Sequence, residues 1–73
     1  MDQEAIKLSQ QIAETLKPRY ETLRNNPGTG VDPFVVLYRE AVALVAKARN
    51  MSEAKTEFFS RDVLQHIMNL VIP

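Results

Sequence analysis

Between Pro33 and Asn50 the chain reads PFVVLYREAVALVAKARN, and this segment limits the possible folds more than any other. At about 100° per residue, Phe34, Val35, Leu37, Tyr38, Ala41, Val42, Leu44, Val45, Ala46 and Ala48 cover roughly 200° of a helical circumference. Arg39, Glu40, Lys47 and Asn50 mark a polar strip, and Val36 and Ala43 fall inside it. A helix this apolar has to be covered on more than one side, so it predicts the central element of a helical bundle. Read alone, FVVLY also fits a strand, but over the longer window packing overrides the β-branched preference.

Gln3 to Arg24 supplies a neighbour for that helix. Ala5, Leu8, Ile12, Ala13, Leu16, Tyr20 and Leu23 recur on one side with Ile6 at its edge, and Glu4, Lys7, Gln10, Gln11, Glu14 and Glu21 fall on the other. Asp2 is placed to cap the start. Pro18 removes an amide and crowds the carbonyl of Glu14, which predicts a kink. The apolar stripe keeps its phase across the proline, so the expectation is one helix bent around the core rather than two unrelated helices.

The connector NNPGTGVDPF, residues 25 to 34, holds both glycines, Gly28 and Gly30, and two prolines, Pro27 and Pro33. A phosphate loop needs a lysine and a hydroxyl directly after its last glycine, whereas Gly30 is followed by Val31, Asp32 and Pro33. No strand precedes the glycines, which removes the dinucleotide fingerprint. Asp32 and Pro33 fit the N-cap and first position of the central helix, and the Asn and Gly residues suit a helix exit with positive φ.

After Asn50 the phase splits the remainder. Met51, Ala54 and Phe58 share one face, whereas Phe59, Val63, Leu64, Ile67, Leu70 and Val71 lie nearly opposite, with Met68 at the edge. One straight helix would need two cores. The reading is a short helix over 52–58 and a terminal one over 61–71, with Ser60 as N-cap and Asp62 near the positive end. Glu57 and Arg61, at i,i+4, support continuity by only a few tenths of a kcal/mol. The predicted fold is all-α: a compact single-domain bundle of three to four helices, spanning about 3–24 (bent at Pro18), 33–50, 52–58 and 61–71.

A chain of 73 residues buries only roughly 60% of its unfolded surface, and without cysteine it has neither disulfide nor thiolate metal site to compensate. Self-association or a partner is the remaining support. Its acidic, polar start and short apolar runs predict neither a signal peptide nor a membrane span, giving a cytoplasmic expectation. On that basis the sequon Asn50-Met51-Ser52 carries little weight. Nine basic and nine acidic residues give a formal net charge of zero, unlike the basic field of a dedicated nucleic-acid binder.

Catalytic and cofactor chemistry finds little footing. His66 is the sole histidine, and Asp62 one turn earlier gives a pair with no third ligand nearby in sequence. Ser9, Ser52 and Ser60 lack a nucleophile-elbow sequence, and Glu4, Glu14 and Glu21 are spaced i,i+3 from Lys7, Lys17 and Arg24 as solvated pairs. An acyl-carrier domain needs a serine in Asp-Ser-Leu at its second helix, where this chain has Asp32-Pro33-Phe34. The expectation is a protein without enzymatic activity, cofactor, metal or small-molecule substrate.

Apolar residues beyond what one small core needs point instead to an interface. Leu70, Val71 and Ile72 near the end, with Val36 and Ala43 on the polar side of the central helix, are the predicted partner-binding residues. The expected function is a protein-interaction module, a homodimer or the receiver of another protein. The alternative is a small nucleic-acid-associated regulator whose Lys47, Arg49, Lys55 and Arg61 contact phosphates. Against it, Lys47 and Arg49 are where cations favour a helix C-terminus.

Overall fold

The structure, a computed structural model, describes residues 1–26, 28 and 30–73. Among them the chain forms helices α1 (Gln3–Arg24), α2 (Pro33–Arg49), α3 (Glu53–Phe59) and α4 (Arg61–Val71), and no strand. The all-α bundle expected from periodicity is the fold observed. No helix is long and apolar enough, among the described residues, to cross a membrane.

α1 runs unbroken through Pro18, which lies on its exposed side. Asp2 Oδ1 accepts from the Ala5 amide at 2.8 Å, fixing the start. Ala5, Ile12, Ala13 and Leu16 are buried as the stripe predicts, and so is Ser9. A serine is tolerated there because its hydroxyl donates to the Ala5 carbonyl at 2.7 Å, leaving no unmet polar group in the core.

α2 begins as Asp32 and Pro33 dictate, with Asp32 Oδ1 accepting from the Phe34 amide at 2.9 Å. In the connector before it, Gly30 takes φ 68°, and a Cβ at Gly28 or Gly30 would meet nothing within 4 Å. Gly30 thus serves the backbone turn rather than a close approach. The positive φ expected at the exit of α1 is not found there: its C-cap, Asn25, is right-handed at φ −83°. Pro27 and Thr29 of the predicted connector lie outside the described residues. At its far end α2 closes on Asn50, left-handed at φ 54°. The Asn50 amide donates to the Lys47 carbonyl at 3.3 Å and the Met51 amide to the Ala46 carbonyl at 2.9 Å, the paired bonds of a Schellman termination.

Leu37, Ala41, Val42 and Val45 of α2 form the centre of the core with Ile12 and Leu16 of α1 and Val63, Leu64, Ile67, Met68 and Val71 of α4. α1 lies against α2 and α4, while α3 packs on α2 and α4. The apolar arc of α2 is not buried throughout: Phe34 and Val35, in its first turn, remain exposed.

α3 is a separate short helix, as the phase change predicts, but it faces the other way. Phe58, assigned to its inner face, is 75% exposed, and Phe59, assigned to the face of α4, is 67% exposed. Thr56 is the residue buried instead, its hydroxyl donating to the Ser52 carbonyl at 2.9 Å. Ser60 separates α3 from α4 but gives α4 no side-chain cap. Its hydroxyl is buried and accepts from Arg49 Nη1 at 3.0 Å. Asp62 Oδ1 takes up the Val63 amide at 2.9 Å in its place.

Candidate functional site

Exposed aromatic residues collect along one side of the bundle, where the start of α2, the whole of α3 and the outer side of α4 meet. On α2, exposed Phe34 lies one turn from half-buried Tyr38, and their rings stack at 6.1 Å between centroids with 12° between planes. On α3, Phe58 and Phe59 meet edge to face at 4.9 Å and 75°. Two grooves join these pairs. One is lined by Tyr38, Ala54, Glu57, Phe58 and Arg61; the other by Phe34, Tyr38, Arg61, Gln65, Met68 and Asn69. Tyr38 and Arg61 belong to both, so the surface is continuous from Phe34 to Phe58.

The local sequence explains why phenylalanines stand outside while hydroxyls go in. Thr56 within α3 and Ser60 just after it, four residues apart, are buried, while Ser52 caps the helix start from the exposed side. Small residues on that side let the helix lie close to α2 and α4, with the Thr56 and Ser60 oxygens already bonded. Adjacent residues are about 100° apart on a helix, so once Thr56 faces inward, Phe58, two residues on, turns outward; Phe59, at the last position of α3, is exposed as well. Each fully exposed phenylalanine presents about 200 Å², so Phe34, at 50% exposure, Phe58 and Phe59 together leave about 400 Å² of surface open.

Glu57 and Arg61 provide the formal charge in these grooves. The helix break at Ser60 disturbs the i,i+4 geometry that pairs such residues in a continuous helix, and no ion pair forms between them. Among the described residues, the two ion pairs lie elsewhere: Lys17 with Glu14 at 3.3 Å, and Arg19 with Glu40 at 3.1 Å between α1 and α2.

The partner-binding residues expected from sequence do not gather into one surface. Val71 is 3% exposed and belongs to the core, and Ile72 packs partly buried against it. Val71 is corrected from surface to interior, because the last turn of α4 points it into the core; Ile72, the residue after the helix, stays half-buried at the core's edge. Leu70 is 37% exposed, in a groove with Lys7, Gln10, Gln11, Ala13, Glu14 and Lys17. Ala43 is exposed in a different groove, beside Thr15, Leu16, Arg19, Glu40 and Leu44, and Val36 is half-buried.

The cations of the alternative reading are also divided. Arg49 bonds Ser60 and lines a groove with Glu4, Lys7, Leu8, Gln11 and Ala48. Arg61 lines the aromatic grooves, while Lys47 and Lys55 are exposed. His66 is half-buried, and Asp62 is engaged at the start of α4. Among the described residues no cluster of three or more His, Cys, Asp or Glu could hold a metal ion.

Sequence reasoning passed over Phe34, Phe58 and Phe59 as interface residues. The available signal was the pair Phe58-Phe59 in a helix of two turns, too short to bury both beside a stripe of hydroxyl residues. No family model, curated protein or solved structure matches the chain.

Proposed function

We propose that this protein is a non-enzymatic protein-interaction module of the cytoplasm that associates with itself through the aromatic side formed by α2, α3 and α4. One observation carries the reading: Phe34, Phe58 and Phe59 leave about 400 Å² exposed in a molecule whose accessible surface is 5097 Å². Exposed apolar area of that size matches the largest patch of a typical small monomer, which is often functional. It is also about half of the ~800 Å² each partner gives to a stable complex, so the flanking Tyr38, Ala54, Gln65 and Asn69 complete an interface of ordinary size. Burial of apolar surface on a second chain compensates a small core that no disulfide reinforces.

The test is solution mass by light scattering across protein concentration and salt. Association through aromatic surface gives a mass rising toward twice the 8.3 kDa chain and holding as salt increases. A mass fixed at one chain at every concentration contradicts self-association. Binding to nucleic acid that collapses as salt rises favours the role of Lys47, Arg49, Lys55 and Arg61 instead.

A further inference from the structure

Resting on the self-association reading, the geometry points to a specific arrangement: a two-fold dimer in which Glu57 of each copy meets Arg61 of the other across a central contact of Phe58. A two-fold interface uses the same patch on both chains, so the patch has to complement itself in charge as well as in shape. This one does. Its grooves carry one carboxylate and one guanidinium, Glu57 and Arg61, both exposed and both without an ion pair inside the chain. They line the same groove as Phe58, the most exposed of the large apolar residues.

A strongly acidic or strongly basic partner would neutralise one of these two charges and oppose the other. A second copy turned by 180° neutralises both. With Phe58 near the axis, the two Glu57–Arg61 contacts form on either side of it, where they fix orientation and register while the aromatic rings supply the apolar burial. The unpaired state of Glu57 and Arg61 within one chain follows from the helix break at Ser60, so the break that exposes the aromatic pair also leaves these charges available.

Charge reversal tests the arrangement without disturbing the fold. E57K places a cation in the last turn of α3 and R61E an anion in the first turn of α4, both favourable to the helix dipoles. Helix content by circular dichroism is expected to be unchanged in each. Each variant alone is expected to self-associate on the order of ten-fold more weakly than the original chain, since both contacts become like-charged. Mixed in equal amounts, the two variants are expected to form a heterodimer of near-original affinity, and the double variant E57K/R61E to regain the homodimer.

If both single variants self-associate as tightly as the original chain and show no preference for one another, the two-fold charge pairing is wrong, while self-association itself stands. If the original chain stays monomeric at every concentration, the self-association reading falls and this arrangement with it.

Discussion

Arg49 Nη1 donates to the buried Ser60 Oγ at 3.0 Å, tying the end of α2 to the junction where α3 gives way to α4. The serine that sequence logic assigns to capping α4 therefore serves tertiary structure, and Asp62 serves the helix end. The bond helps hold α3 in the orientation that turns Phe58 and Phe59 outward.

Removing either partner of that bond is expected to cost about 1 kcal/mol, the usual net worth of a hydrogen bond whose charged member stays hydrated. Ser60→Ala and Arg49→Ala are each expected to lower the urea midpoint. The double variant is expected to lose less than the sum, because one interaction is removed twice. Strict additivity in a double-mutant cycle would show that the contact carries no energy.

Asn50 ends α2 with φ 54°, a conformation in which a side chain with a Cβ is strained and asparagine is among the better tolerated. Asn50→Ala is expected to destabilise by about 1 kcal/mol, and Asn50→Gly to be neutral or slightly stabilising. Thermal unfolding of the two variants side by side checks the sign. Equal melting would mean that the Schellman end is not formed in solution.

Neighbouring residues near the end of α4 are expected to behave differently. Val71 is a core residue, so Val71→Ala is expected to cost about 2 kcal/mol and to reduce stability before it changes association. Leu70, more exposed and beside Lys7 and Lys17, is expected to tolerate Leu70→Ala within about 0.5 kcal/mol. Urea titration distinguishes them, and the reverse order would restore the tail as a surface element.

The same contrast shows how far the sequence could be read. Periodicity located α1 across Pro18, the cap at Asp32-Pro33, the break at Ser60 and the buried face of α4, because each depends on local geometry or on a long run of apolar residues. It failed where a segment was too short for its pattern to specify a face. In α3 a periodic reading sends phenylalanine inward, yet seven residues offer only one narrow contact line, and Thr56 with its self-satisfied hydroxyl fits closer to α2 and α4. The predicted interface residues are apolar intruders on the polar strip of α2, Val36 and Ala43, and the apolar tail of α4; Ala43 and Leu70 lie in separate grooves, and three-dimensional adjacency of that kind is not encoded in spacing along one helix.

Phe58→Ser is expected to leave unfolding of the dilute, monomeric chain within about 0.5 kcal/mol of the original, since the ring is mostly outside, and to weaken self-association at least about ten-fold. Circular dichroism melts and light scattering on the same samples separate the two effects. A variant that unfolds rather than dissociates would place Phe58 in the monomer core.

The surface itself is read most directly by nitrogen-15 amide shifts recorded as protein concentration rises. The predicted result is a cluster of concentration-dependent changes at Phe34, Tyr38, Phe58, Phe59, Arg61 and Gln65, with Lys7, Gln11 and Leu70 on the α1–α4 side unchanged. Changes centred on those α1–α4 residues, or on Lys47, Arg49 and Lys55, would contradict the assignment of the aromatic side as the interface.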